Sequence, residues 1–299
     1  MADKLNQITE TPEQYPKLLK PKLDVVFKLL FGDKRNIHLL INFLKSVLDL
    51  PEEEYDSVVI EDPHLKRETL DDKLGIIDVR VTTKNAKTIH IEIQVLEFPN
   101  MADRATYYNT KLFSTQLKSG SHYDQLRKTI SVVITDFNII INSNNYHHVF
   151  QLRDKETGIL FTDLIEIHTL ELSRLPEHTD NTKKYEWLRF IRAEKEDEFM
   201  VIAKDDPFIR EAYVELRRLS SDEQARRLAE DREKALRDEY ARNKHAYNKG
   251  ITEGRAEGRA EGKTEGISQM ARKLRESGDI PVEEIARMSG LTVSEIENL

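Results

Sequence analysis

Two acidic residues and a glutamine lie in neighbouring apolar runs of the chain, in the stretch LGIIDVRVTTKNAKTIHIEIQV. Asp78 lies in the first run, and Glu92 and Gln94 lie in the second. Because successive side chains of a β-strand point to opposite faces, each run places its isoleucines and valines on one face and these polar residues on the other. Carboxylates held close together repel each other, and such a pair is usually retained because a cation lies between them. An oxygen-rich site of this kind suits Mg²⁺ or Mn²⁺.

The spacing of the two runs restricts the loop that joins them. Opposed residues of an antiparallel pair share a face, so the apolar rows coincide only if the numbers of paired residues add to an even value. The pattern therefore predicts a loop of odd length, or a bulge, around TKNAK. A three-residue loop places Asp78 opposite Glu92, and a loop centred on Ala86 places it opposite Gln94.

A second interpretation of the polar face is that it is exposed to water, as is common in antiparallel sheets. Ile76 and Leu96 share that face and indicate partial cover instead. His90 lies on the same face, and we expect it to be an ordinary surface histidine.

Composition narrows the class of protein. The 299 residues carry a formal net charge of −8, which counts against a basic coat for non-specific nucleic-acid binding and limits any such contact to a local surface. Cysteine is absent, which excludes disulfides and cysteine-ligated zinc. Together with a polar start that lacks a signal-peptide pattern, this predicts a protein of the reducing cytoplasm. No apolar run approaches the roughly 18 residues of a membrane span.

The elements around the hairpin predict an α/β fold. KLDVVFKLLFGDKRNIHLLINFLKSVLDLP has apolar residues at helical spacing and predicts two helices broken around Gly32. A strand in YDSVVIED, the hairpin, a helix after Pro99, a strand in TISVVITDFNIII and two further strand-like runs follow. This order predicts a mixed sheet flanked by helices.

The whole chain divides into four predicted segments. Residues 1–20 form a polar arm, 21–200 the core, 201–266 a charged helical linker with a Gly-x-x-x repeat, and 267–299 a helix-turn-helix-like module. Five glycines recur at every fourth position from Gly250 to Gly266, and each costs a helix about 1 kcal/mol relative to alanine. Either they form a helix–helix contact in a homodimer, or they belong to a flexible linker. The terminal module, whose charge is mixed, binds either protein or DNA.

Several segments together carry a resemblance to a known family. IIDVRV followed by IHIEIQV resembles the D…ExK signature of PD-(D/E)XK nucleases, with Gln94 at the lysine position. KLDVVFKLLFGD, the segment ADRATYYNTKLFSTQLKSGSHYDQLRKTISVVITDF, the G-x-x-E repeats and PVEEIARMSGLTVSEIENL resemble the Rpn family of recombination-promoting nucleases and transposase-like proteins. The resemblance spans about Leu19 to Leu299.

This resemblance implies a restriction-endonuclease-like fold and a metal-dependent DNA endonuclease of recombination, mobile elements or phage defence. It implies that Asp78 and Glu92 ligate Mg²⁺ or Mn²⁺, together with the main-chain carbonyl of Ile93. Gln94 can orient water but supplies no positive charge. Asp24 matches an acidic residue on the first helix of such nucleases, with Lys28 one turn later. A charge favoured by the helix dipole is the alternative explanation of Asp24.

The helix after the hairpin is a candidate surface for DNA. Arg104, Tyr107, Tyr108 and Lys111 could form a basic and aromatic face that meets phosphate and sugar. The alternative is that a tyrosine on a helix beside a sheet belongs to the core. Two rival functions remain open: a non-catalytic DNA- or protein-binding module that keeps a nuclease-like fold, and a transposase with strand-transfer chemistry.

Overall fold

The computed structural model describes residues 17–61, 78–97 and 99–299. Most of the polar arm and the part of the first hairpin run before Asp78 lie outside these ranges. The strands are β1 (Val59–Glu61), β2 (Val79–Thr82), β3 (Thr88–Gln94), β4 (Thr129–Thr135), β5 (His147–Arg153) and β6 (Leu160–Glu171). The helices are α1 (Asp24–Phe31), α2 (Ile37–Val47), α3 (Met101–Ser114), α4 (Lys183–Arg192), α5 (Glu196–Ile202), α6 (Pro207–Ser221), α7 (Glu223–Ser277), α8 (Val282–Ser289) and α9 (Val293–Glu297).

The chain forms two compact units, Met1–Leu236 and Arg237–Leu299. The division into four segments made from the sequence stays a prediction. Within the described ranges, none of the helices has both the length and the apolar character needed to cross a membrane.

One six-stranded sheet organises the first unit, in the order β1-β2-β3-β4-β6-β5. Strands β1, β2 and β3 pair antiparallel, β3 with β4 and β4 with β6 pair parallel, and β5 pairs antiparallel with β6. The predicted mixed α/β sheet flanked by helices is therefore confirmed.

The main core covers the sheet face that carries the isoleucines and valines. Helices α1 and α2 bury their apolar stripes there, and the rings of Phe31 and Phe43 each lie within about 6 Å of Trp187 on α4. Burial of a large apolar side chain stabilises the fold by about 2–3 kcal/mol. Helix α6 adds Tyr213 and Leu216 to this core, and Asp206 caps its start by accepting from the next two amides.

Helix α3 covers the opposite face of the sheet. Met101 and Ala105 pack against Val133 of β4. Asn109 Nδ2 donates to Ser131 Oγ at 2.6 Å and to the carbonyl of Glu166 at 3.1 Å, which ties the helix to β4 and β6. The interpretation of a water-exposed polar face is therefore wrong at this position.

His90 shows the consequence of that cover. Its side chain is 1% exposed and its Nε2 lies within hydrogen-bond distance of Ser131 Oγ, so the expected surface histidine is a buried one. Burial, and then the nearby Arg80, lower the pKa of His90 to about 3, so the ring is neutral.

The second unit contains the C-terminal part of α7 with α8 and α9. Ala271, Ile285 and Ile296 form its small buried cluster. Gly290 ends α8 in the left-handed region at φ 75°, and Thr292 with Glu295 forms a capping box at the start of α9.

Candidate active site

The β2–β3 hairpin has the register that the alternating pattern predicts. Val79 pairs with Ile91 and Val81 with Ile89, so the numbers of paired residues add to an even value. The loop is Lys84–Ala86, three residues long, and Ala86 adopts a left-handed φ of 61°. Extending this register by one residue places Asp78 level with Glu92, as expected for a three-residue loop.

A buried glutamate holds the loop of this hairpin. Glu54, 3% exposed, accepts from Lys87 Nζ at 2.6 Å, from Thr83 Oγ1 at 2.6 Å and from Asn85 Nδ2 at 2.9 Å. Burial raises the pKa of Glu54, but these three hydrogen bonds lower it more, to about 2. The carboxylate stays ionised and fixes the turn that sets the register of the polar residues.

Asp78 contacts the backbone of the opposite strand. Its Oδ2 accepts from the Ile93 N–H at 2.7 Å. Because the N–H and C=O of one strand residue point to the same side, the Ile93 carbonyl also lies on the Asp78 side of β3. The backbone of Ile93 therefore brings an acceptor oxygen to the same edge as the Asp78 carboxyl group.

Asp78 lies close to other negatively charged side chains. Burial, and to a smaller extent the carboxylates of Asp24 and Glu92, raise the pKa of Asp78 to about 7 against the opposing effects of the Ile93 N–H and Lys28. Ionising Asp78 is costly in this setting unless a positive charge arrives. The site has the charge pattern that a divalent cation would relieve.

Glu92 is held by a residue of α3. Its side chain is buried, and Arg104 Nε–H donates to its Oε1 at 2.8 Å. The Arg104 guanidinium lies 4.8 Å from the ring centroid of Tyr108, which is itself buried. The ring of Tyr108 therefore holds the Arg104 guanidinium in position through a cation–π contact.

The neighbouring tyrosine carries the exposed aromatic surface of α3. Tyr107 is 44% exposed, and Lys111 Nζ lies 5.8 Å from its ring centroid. Arg104, Tyr107 and Lys111 thus reach the surface of α3, whereas Tyr108 belongs to the packing beneath them.

Asp24 and Lys28 lie one helical turn apart on α1. Asp24 Oδ1 accepts from Arg232 Nε at 2.8 Å and from the Val25 amide at 2.9 Å. Lys28 is exposed and lies near enough to lower the pKa of Asp78. Both residues therefore belong to the electrostatic surroundings of Asp78, and Asp24 also anchors the start of α7.

Gln94 ends β3 beside a second cluster of charges. Its carbonyl accepts from the Asp136 N–H at 3.1 Å. The Asp136 side chain binds Lys22 Nζ at 2.7 Å, and Lys22 binds Glu194 at 2.7 Å. Burial lowers the pKa of Lys22, but its hydrogen bonds to the two carboxylates raise it more. Lys22 is thus a fixed ammonium close to the backbone of Gln94.

The donor set fits a hard divalent cation. Two carboxylates and a main-chain carbonyl are the oxygen ligands that Mg²⁺ and Mn²⁺ prefer. The residues that the structure describes contain no group of three or more His, Cys, Asp or Glu side chains arranged to hold a metal. A cation here would therefore rest on Asp78, Glu92 and the Ile93 carbonyl, with water completing its shell.

Comparison with known protein families decides the classification. The model of the PD-(D/E)XK nuclease family transposase matches residues 21–246. The chain belongs to this family. The resemblance predicted from the sequence is confirmed, and the mixed sheet flanked by helices agrees with the PD-(D/E)XK fold. Membership supports a nuclease-like function. Neither the curated proteins nor the solved structures contain a match to the chain.

The sequence analysis did not identify three residues that surround the site. Arg232 lies 208 positions from Asp24, and Glu54 lies 33 positions from Lys87, so no local pattern connects either pair. Lys22 stands beside Pro21 at the edge of the predicted helix, and nothing in its neighbours indicates a bond to Asp136. Only pairing in three dimensions identifies them.

Proposed function

We propose that this protein is a metal-dependent DNA endonuclease that hydrolyses phosphodiester bonds in the cytoplasm, in recombination, mobile-element biology or phage defence. The observation that carries the proposal is the partly buried Asp78 carboxyl group, level with Glu92 and with its pKa raised to about 7. A carboxyl group with so perturbed a pKa, among other carboxylates, is a candidate for a functional site.

Each residue of the hairpin has a role in this proposal. Asp78, Glu92 and the Ile93 carbonyl would hold Mg²⁺ or Mn²⁺. A bound cation polarises the scissile phosphate and lowers the pKa of a ligated water. Gln94 orients the attacking water through its amide, and Asp24 strengthens the negative potential that attracts the cation.

DNA meets the site through positive charges from two helices. Lys28 on α1 and Arg104 and Lys111 on α3 would contact phosphates, and Tyr108 positions Arg104 by supporting its guanidinium. Such a local basic surface is compatible with a chain whose net charge is −8.

Plasmid nicking with Mg²⁺ tests the proposal. The wild-type protein is expected to nick DNA, whereas Asp78→Asn and Glu92→Gln should lose about 10²-fold or more of the rate. Asp124→Asn, a change of an exposed aspartate of the same unit, is the matched control and should cleave at the wild-type rate. Equal cleavage by wild type and Asp78→Asn contradicts the assignment. Mapping of the products separates hydrolysis from strand transfer.

A second candidate is a non-catalytic DNA-binding protein that keeps the nuclease fold. It is favoured by two ion pairs, because Arg104 neutralises Glu92 and Arg232 neutralises Asp24. This candidate predicts DNA binding that does not change with Mg²⁺ or with Asp78→Asn, and no nicking under any condition.

We also propose that the second unit forms a homodimer through α7. A Cβ atom added at any of the five glycines from Gly250 to Gly266 meets nothing within 4 Å, so this stripe is open. Tyr240, Tyr247 and Ile251 are exposed, and at 100° per residue they share a face with Gly254 and Gly258. Close approach of a second helix would offset the cost of the glycines. Substitution of alternate glycines by leucine should halve the mass measured by light scattering, and an unchanged dimer contradicts the contact.

A further inference from the structure

On the hairpin, Arg80 shares the polar face but pairs with His90, two residues along the strands from the level of Asp78 and Glu92. Gln94 stands where a lysine is expected, and an amide cannot stabilise charge on a phosphate as an ammonium can. Lys22 forms ion pairs with Asp136 and Glu194, so two carboxylates already neutralise its charge. A side chain from another element that bonds directly to the site can bring the charge that Gln94 does not.

Arg104 is placed to supply that charge. It is bonded directly to Glu92, through Nε–H to Oε1 at 2.8 Å, and its side chain is 32% exposed. Tyr108 supports the guanidinium at 4.8 Å from the ring centroid. Asn109 fixes the next turn of α3 to β4 and β6, so the helix that carries Arg104 is rigidly attached to the sheet that carries Glu92.

The bond between Arg104 and Glu92 competes with a divalent cation. Both positive groups are attracted to one carboxylate, and they repel each other when both are near it. Binding of the cation therefore weakens the hold of Glu92 on Arg104, and by linkage the presence of Arg104 weakens the binding of the cation by the same factor.

We propose that Arg104 is a transferable positive charge in this site, an inference that rests on the proposed function. Without a divalent cation it neutralises Glu92. Once the cation takes Glu92, the guanidinium turns to a phosphate of the bound DNA, which it can bind with two parallel hydrogen bonds. Arg104 then performs the electrostatic role that Gln94 cannot.

Two measurements on the full-length protein give opposite signs for one substitution. In Arg104→Gln, Mn²⁺ binding followed by calorimetry without DNA is expected to tighten about 5-fold or more, because the competing charge is gone. Cleavage at saturating DNA is expected to fall about 10²-fold, because the phosphate loses its donor. A residue needed only for folding would weaken both properties.

Three further variants make the test specific. Arg104→Lys keeps the charge and is expected to recover part of the cleavage rate. In the Glu92→Gln background, Arg104→Gln should tighten Mn²⁺ binding much less, since the competition for the Glu92 carboxylate is gone and only the repulsion between the two cations is left. Arg189→Gln is the matched control, because this guanidinium also lies over a tyrosine ring, 5.8 Å from the centroid of Tyr185. It is expected to change neither property.

The outcomes separate this inference from the proposed function. Cleavage by the wild-type protein together with unchanged or weaker Mn²⁺ binding in Arg104→Gln overturns the inference alone. Wild-type cleavage that Arg104→Gln retains in full also overturns it. Absence of cleavage by the wild-type protein with every divalent cation overturns the proposed function, and the Mn²⁺ comparison then decides the competition at Glu92.

Discussion

Replacing Asp78 by asparagine is expected to stabilise the metal-free protein while abolishing its activity. The carboxyl group ionises at about 3.8 in an ordinary setting and at about 7 in the fold. Between these values the folded chain keeps a proton that the unfolded chain has released. Stability from this group is therefore complete below pH 4 and is lost as the pH rises through 7.

The magnitude follows from the size of the shift. A rise of about three units at about 1.4 kcal/mol each makes ionised Asp78 cost the fold up to about 4 kcal/mol above pH 8. Asparagine carries no charge, and its carbonyl oxygen can still accept from the Ile93 N–H. Asp78→Asn should therefore exceed the wild type in unfolding free energy at pH 8 by up to about this amount, and by much less at pH 5.

Urea denaturation with a chelator at pH 5 and pH 8 measures this difference. Asp124→Asn serves as the control, and its unfolding free energy should differ from that of the wild type by the same small amount at both pH values. At pH 8, Mg²⁺ should raise the urea midpoint of the wild-type protein more than that of Asp78→Asn, because the substitution removes one of the two carboxylates that hold the cation. If the difference in unfolding free energy between Asp78→Asn and the wild type does not grow from pH 5 to pH 8, an ionised, destabilising Asp78 is ruled out.

Two further substitutions test the surroundings of the site, and a third tests the glycines of α7. Glu54→Gln removes the charge from a buried, ionised hydrogen-bond acceptor and should lower the free energy of unfolding by about 3 kcal/mol in urea. Because the pKa of His90 is lowered to about 3, the stability that this neutral ring contributes is present above pH 6.5 and lost as the pH falls below it. Between pH 7 and pH 5, the free energy of unfolding of the wild type should thus fall by about 2 kcal/mol more than that of His90→Asn. Equal falls in the two proteins would contradict a neutral buried ring. In the dissociated monomer, Gly254→Ala should raise the stability of α7 by about 1 kcal/mol by circular dichroism, since its Cβ meets no neighbour within the chain.

Much of the fold follows from local patterns. The two helices broken around Gly32, the strand order of the hairpin and the three-residue loop all follow from periods of 3.6 and 2 in the apolar residues. The loop length in particular is decided by parity, because a slip of one residue would put Asp78 and Glu92 on the apolar face. These features need no knowledge of distant contacts.

The cover of the polar face could not be predicted in the same way. The strand pattern of His90, Glu92 and Gln94 is the same whether water or a helix lies above it. Helix α3 packs there through Met101, Ala105 and Asn109. Its helical periodicity predicts a buried face but does not tell which surface that face covers. Burial of His90 follows only once that helix is placed.

The charges around the site also depend on distant pairing. Arg104 could be placed near the hairpin from its position on the following helix, but its bond to Glu92 could not. Arg232 reaches Asp24 from α7, and no pattern in either segment predicts this pair. Sequence thus identifies the acidic residues, while the cations that balance them require the folded chain.

Asp78 and Glu92 are proposed to bind one divalent cation between them. Crystals grown with Mn²⁺ and measured at an energy where manganese scatters anomalously test this claim most directly. One anomalous peak is expected within about 2.2 Å of a carboxylate oxygen of each residue. Density maps with both carboxylates ordered and no peak between them, at millimolar Mn²⁺, would contradict it.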